Sequence, residues 1–244
     1  MSEPSAAPPD VRRTAVMTVL TVLAGAVDAV SFLTMGKVFC ALATGNVLFM
    51  SFALAGEGDV PVARPATAIG AFVAGAALGA VLLAWLAGRG RAWFAAGLAG
   101  EGLLLVLAGA VALGRHGTGP AGAGGSDLVV VGTVALAMGL RASTALRVHV
   151  PGMPTLLSQT AIAQLVNDVL RRPHALLRGM SGPQRLARAR WTATVAGIFV
   201  GGVLGTLLLV PLGTGRALLV IAAVVLLLAA GSLAAPWKVP VSSS

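Results

Sequence analysis

Six apolar runs, at about 14–35, 66–87, 92–113, 128–149, 191–212 and 216–235, are each long enough to cross a bilayer, and three of them carry an ionisable residue near the middle: Asp28, Glu101 and Arg141. Roughly twenty residues at ~1.5 Å rise cover the hydrocarbon core, and a backbone inside it must satisfy its own hydrogen bonds. Runs of this kind restrict the chain to membrane-spanning helices. A charge at mid-bilayer costs roughly 2.5–3.5 kcal/mol on insertion scales and persists where it pairs or meets water. The three residues are therefore expected inside a helical bundle, and they are the first candidates for function.

Composition supports this class. With 57% hydrophobic and 10% charged residues in a chain of 244, there is too little polar surface to cover a water-soluble globule. The polar, Pro-rich start and the lack of a small-residue cleavage site after the first run make that run a span and not a signal peptide. The net charge of +9 is not read as nucleic-acid binding. Arg171, Arg172, Arg178, Arg185, Arg188 and Arg190 lie in one loop with no acid among them, as a cytoplasmic loop does under the positive-inside bias; binding of anionic lipid headgroups is the functional rival. The single cysteine, Cys40, has no internal partner and is expected as a small buried hydrophobe.

Two shorter runs, 38–55 and 151–167, are broken by Thr44-Gly45-Asn46 and Ser158-Gln159-Thr160. These breaks occupy matched places, because the chain resembles itself. At a spacing of 114, Gly25 aligns with Gly139, Phe32 with Leu146, Leu42 with Leu156 and Thr44-Gly45-Asn46 with Ser158-Gln159-Thr160; at 126, Ala71, Gly75 and Gly79 align with Gly197, Gly201 and Gly205. The expected organisation is a cytoplasmic tail (1–13), a first membrane repeat (14–113), a Gly-rich linker (114–127), a second repeat (128–235) with its basic loop at 169–190, and a C-terminal tail (236–244). The fold class is all-α, a polytopic transmembrane bundle with six full spans plus two short or discontinuous segments; eight spans are the alternative. Polar tripeptides inside short apolar runs favour six plus two, since non-helical backbone is tolerated only against protein or a water-filled cavity. Both arrangements put the two termini and the basic loop in the cytoplasm, in a multi-pass protein of the plasma membrane.

The Ala71, Gly75, Gly79 and Gly197, Gly201, Gly205 series place small residues one turn apart, which lets another backbone approach; the partner helix lies in this chain or in a second copy. Asp28, Glu101 and Arg141 read equally as a structural ion pair, Arg141 with one acid or both, or as part of a solute, ion or proton path. Thr44, Gly45, Asn46, Ser158, Gln159 and Thr160 are expected near the midplane, where helix ends and free carbonyls can hold a small ligand, or else simply bond neighbouring helices. Gly117-Thr118-Gly119-Pro120-Ala121-Gly122 satisfies G-x-G-x-x-G but lacks the strand and βαβ context that makes such glycines bind a pyrophosphate. His116, His149 and His174 show no ligand spacing, so no metal or cofactor is expected, and nothing resembles a hydrolase motif.

Ala24-Gly25-Ala26-Val27-Asp28-Ala29-Val30-Ser31-Phe32, Ala43-Thr44-Gly45-Asn46 and Ala137-Met138-Gly139-Leu140-Arg141-Ala142 together resemble the YoaK-like family of uncharacterised bacterial membrane proteins. The resemblance implies location and architecture, since that family has no established activity. The chain departs from the family pattern at Arg141, where relatives tend to carry a glutamine, and at Ser158-Gln159-Thr160, where they tend to carry Thr-Gly-Thr. The expected function is a secondary transporter or channel for a small solute, not an enzyme, with Asp28, Thr44, Gly45, Asn46, Glu101, Arg141, Ser158, Gln159 and Thr160 lining its polar interior. The alternative is a non-transporting sensor or assembly protein in which the same charges are structural.

Overall fold

The six long apolar runs are rich in Ala and Leu, which lose little on entering a helix, and they are helical over nearly all of their described residues. The computed structural model describes residues 11–57, 61–114, 125–148, 158–171 and 182–234. Seven helices are found among them: α1 (Val11–Thr34), α2 (Ala43–Leu54), α3 (Ala63–Gly88), α4 (Trp93–Gly114), α5 (Gly125–Val148), α6 (Ser158–Arg171) and α7 (Gly182–Ala234). Five of them, α1, α3, α4, α5 and α7, are long and apolar enough to cross a membrane. The distribution of side chains is that of a protein solvated by lipid: Val81, Val210 and Leu227 are more than two-thirds exposed, while Glu101 and Arg141 are buried. The stretch Gly117–Gly122, the residues Arg172 and Arg178, and the three histidines lie outside the described residues.

Two expected boundaries differ. The basic loop expected at 169–190 is helical at 169–171 and 182–190, so Arg171 ends α6 and Arg185, Arg188 and Arg190 stand on the first turns of α7. The runs at 191–212 and 216–235 are joined in α7, whose 53 residues would reach about 80 Å if straight, far more than a bilayer. Pro211 and Gly213, the latter at φ 71° and ψ 173°, break the helix instead. Arg190 Nε donates to Thr14 Oγ1 at 3.1 Å and Arg12 Nη2 donates to the Gly231 carbonyl at 3.5 Å. Both far ends of α7 therefore lie beside the start of α1, and its two arms run antiparallel.

Two close crossings hold the bundle. α1 runs alongside the first arm of α7, where a Cβ on Gly201 would strike the Val22 carbonyl, one on Gly25 the Ile198 carbonyl, and one on Gly205 would lie 2.6 Å from the Ala26 oxygen. α3 runs alongside α5, where a Cβ on Gly75 would strike the Leu136 carbonyl and one on Gly139 the Phe72 carbonyl. Ser143 Oγ reinforces this second crossing by donating to the Ala76 carbonyl at 2.6 Å. Val22 and Gly25 precede Leu136 and Gly139 by the same spacing of 114, and Phe72 and Gly75 precede Ile198 and Gly201 by the same 126. One set of contacts thus occurs twice, each time between a helix of the N-terminal part and a helix of the C-terminal part. α4 runs antiparallel to both α5 and the second arm of α7, with Gly109 close to the Gly215 carbonyl and Gly97 close to Thr144. α6 packs on α7 and is tied to it by an ion pair between Asp168 and Arg188 at 2.6 Å.

Between lipid-solvated helices there is no water to expel, so close van der Waals contact carries association and a methyl group at these crossings separates the backbones. Gly201→Ala and Gly139→Ala are each expected to destabilise the fold by about 1–3 kcal/mol, the usual cost of overpacking. Gly70→Ala, inside α3 at a position with open space around it, should be neutral or stabilising by up to about 1 kcal/mol. Thermal unfolding of the three purified variants in one detergent checks the ordering.

Candidate functional site

The three intramembrane charges do not share one site. Arg141, on α5, faces Glu101, on α4: its Nε donates to Glu101 Oε1 at 2.8 Å and its Nη2 bonds the same oxygen. Its Nη1 reaches a third helix, donating to the Leu20 carbonyl of α1 at 2.8 Å. Gly97 and Gly100 let α4 approach α5 closely enough for this pairing. Glu101 Oε2 is buried with no hydrogen-bond partner among the described residues. The space beside Arg141, bounded by Met17, Leu20 and Met138, is a closed cavity of about 10 Å³, at the limit of what a single water needs. Glu101 and Arg141 are thus a buried strut linking α1, α4 and α5.

Asp28 has other partners. It lies six residues before the end of α1, and its carboxylate accepts the backbone N–H groups of Ala41 at 2.7 Å and Leu42 at 3.1 Å. The chain reaches it by turning back on itself: Gly36 and Lys37 take left-handed conformations directly after α1, which sends residues 38–42 back beside the helix they have just left. Asp28 consequently stands at the N-terminus of α2, where unpaired N–H groups and the positive end of the helix dipole favour an anion.

Asn46 fixes the same segment from the other side. Its Oδ1 accepts the Phe39 N–H at 2.9 Å and its Nδ2 donates to the Phe39 carbonyl, so a buried carboxamide satisfies both backbone polar groups of Phe39. Gly45 is required beside it, because a Cβ there would lie 2.8 Å from the Phe39 ring. Thr44 is exposed. Phe39 stacks on Phe32 at 4.8 Å between ring centres, and Phe49 of α2 lies 6.0 Å from Phe39 and 6.4 Å from Phe32. The polar break at Thr44-Gly45-Asn46 therefore positions backbone, and its matched break is found at the start of α6, where Ser158, Gln159 and Thr160 form the first turn.

An open groove of about 390 Å³ lies against Asp28. Its walls come from α1 (Ala29, Phe32), the returning segment (Phe39, Ala41) and the first arm of α7 (Ile198, Thr206), and are mostly apolar. Ala24 and Ala41 line both this groove and the small cavity at Arg141, so they form the wall between the two. The contribution of Ile198 and Thr206 was not apparent in sequence; the small face Gly197-x-x-x-Gly201 pointed to a crossing but not to a groove beside it. Cys40 is buried and its thiol lies 3.9 Å from the Val131 carbonyl, in agreement with a packing role.

The strut allows a quantitative test. Replacing one member of a buried pair leaves the other uncompensated and costs about 3–5 kcal/mol, whereas replacing both with apolar groups is often nearly neutral. Arg141→Met and Glu101→Leu are each expected to fall in that range, and the double variant to recover most of the loss. Denaturation in mixed micelles, read as a double-mutant cycle, measures the coupling.

A family profile described as a protein of unknown function, DUF1275, matches residues 16–231. No curated protein and no solved structure matches the chain.

Proposed function

For this chain, which belongs to the DUF1275 family of proteins of unknown function, we propose a secondary transporter or channel-like protein in which Asp28 binds a small solute and controls a partition in the membrane. The supporting observation is that Ala41, held by the Asp28 carboxylate, is part of the wall between the 390 Å³ groove and the cavity at Arg141. A solute with a cationic or N–H donor group competes with the Ala41 and Leu42 N–H groups for the same oxygens. Its apolar part fits the walls made by Phe32, Phe39 and Ile198. Occupying Asp28 weakens the hold on residues 38–42, and withdrawal of Ala41 opens the groove toward Arg141.

The topology we propose is six spans, each arm of α7 counting as one, with α2 and α6 as the two short segments. The first half then runs opposite to the second, as in inverted-repeat transporters whose sites sit at broken helices. Three observations support it. α2 starts at the level of Asp28, yet Arg64 at the start of α3 lies against Gly36, so the chain returns to the side it left. α1 runs antiparallel to α5, judged from Leu20 opposite Arg141 and Cys40 near Val131. The crossing contacts repeat at the two spacings of the sequence match. Arg12, Arg13, Arg89, Arg91, Arg147, Arg185, Arg188 and Arg190 then share one end, which we assign to the cytoplasm with both termini, in the plasma membrane. The relationship to YoaK-like proteins rests on the motifs around Asp28 and Asn46.

A second reading, a non-transporting sensor or assembly protein, is favoured by the pairing of Glu101 with Arg141 away from the groove, whose lining includes neither. Uptake of candidate cationic and zwitterionic solutes into vesicles containing the purified protein, with and without a proton gradient, separates the two. Asp28→Asn is expected to abolish uptake while the protein still inserts; loss of the folded protein would instead make Asp28 structural.

Topology has its own check in a background with Cys40 replaced by Ala. Under six spans, a single cysteine at position 64 reacts with an impermeant maleimide added outside intact cells and one at position 89 does not. Eight spans give the reverse.

A further inference from the structure

A second cavity, of about 670 Å³, lies at the end of the bundle that carries Arg12 and Arg190, far from Asp28. It is formed where the turn between α3 and α4 meets the last turns of α5 and α7, and it is lined by Arg91, Trp93, Phe94, Arg147 and Ser232 among others. The described residues that line it include two arginines and no carboxylate. Arg147 lies 5.5 Å from the Trp93 ring centre; on Trp85, Arg89 is stacked at 3.8 Å and Arg91 lies 5.9 Å from the same ring centre. Cation–π contacts at this distance favour a guanidinium beside the ring and leave its N–H groups available for oxyanions. α4 begins at Trp93 on the cavity wall, so the positive end of its dipole adds to the field of the two cations.

The rim distinguishes a lipid from a free anion. Leu146 and Leu233, each next in sequence to a residue lining the cavity, are 74% and 60% exposed, and Leu82 and Trp85 of α3 are also exposed. Apolar surface therefore continues from the charged cavity along the outside of three helices, where acyl chains would lie.

We propose that this cavity is a binding site for the phosphodiester headgroup of an anionic phospholipid, with Arg91 and Arg147 as the phosphate contacts. Basic pockets between spanning helices are suited to such headgroups, and each arginine near the surface contributes about fivefold in affinity. The assignment does not depend on the transport reading, since it involves neither Asp28 nor the groove.

The test titrates the full-length protein in neutral detergent with short-chain phosphatidylglycerol, short-chain phosphatidylcholine and inorganic phosphate. Binding is read by Trp fluorescence and by lipid retained in native mass spectrometry. Phosphatidylglycerol is expected to bind saturably, and the other two probes at least about tenfold more weakly. R91A/R147A should lose about 20-fold in affinity, while Arg185→Ala, an exposed cation at the same end that does not line the cavity, should lose less than about twofold. Equal binding of phosphatidylcholine, or inorganic phosphate as effective as the lipid, overturns the proposal. So does an unchanged affinity in R91A/R147A, or, if that variant does not accumulate, in Arg147→Gln.

Discussion

Among the described residues the helices approach most closely backbone to backbone, and the pairing of Arg141 with Glu101 follows from those crossings. At the crossings of α1 with α7 and of α3 with α5, glycines bring one helix against the carbonyl oxygens of the other. A lipid-solvated bundle gains little from hiding Leu and Val from its surroundings, so tight packing and interhelical hydrogen bonds carry the association. The glycine crossings supply the packing, and Ser143 with Ala76 supplies one such bond. With α1 and α5 placed by their separate partners, Leu20 and Arg141 come to face each other across the interior, and α4 fills the remaining side with Glu101.

The irregular segment after α1 obeys a second constraint. Backbone that leaves a helix within apolar surroundings must find hydrogen-bond partners, and each unmet group costs several kcal/mol. Asp28 satisfies the N–H groups of Ala41 and Leu42, and Asn46 satisfies both groups of Phe39. The two residues act on adjacent parts of one short segment from opposite sides. The pairing gives a physical meaning to the appearance of Val-Asp-Ala-x-x-Phe and Thr-Gly-Asn together: the first supplies an anion and an aromatic platform, and the second supplies a carboxamide and the missing side chain that the aromatic ring needs.

Helical spans were legible because length and apolarity alone specify them, and the ends of α1, α3, α4 and α5 fall within a few residues of the apolar runs, whereas α7 starts at Gly182, well before its run at 191. The bend in α7 was half-legible: the gap between the runs at 191–212 and 216–235 marked its place, but two helices that meet directly at Pro211 and Gly213 leave no polar loop to read. Burial of Arg141 and Glu101 followed from the cost of charge in lipid. The choice of Glu101 over Asp28 as partner did not, because it depends on which faces of α4 and α5 the glycine crossings turn inward. Thr44-Gly45-Asn46 stood out as a polar break, yet whether such a break holds a ligand or its own backbone depends on where the preceding loop travels. That path is set by left-handed Gly36 and Lys37.

The two sequence spacings carry packing and chemistry differently. The glycines that meet carbonyls recur at both, whereas the charges do not: at a spacing of 114, Asp28 corresponds to Ala142 and Arg141 to Val27. A packing contact is constrained on both sides by backbone geometry, so neither partner can change without separating two helices. A buried carboxylate is constrained only where something needs its oxygens. In the first part those oxygens hold residues 41 and 42, and in the second the equivalent helix carries a methyl group at that place. On the reading proposed here, the duplicated crossings are a frame built twice, and the acid-gated partition is a feature built into one side of it. Solute binding would then act on one end of one pair of helices while the α3 and α5 crossing stays fixed, so the moving part is the short segment between Gly36 and Asn46 and not a half of the bundle.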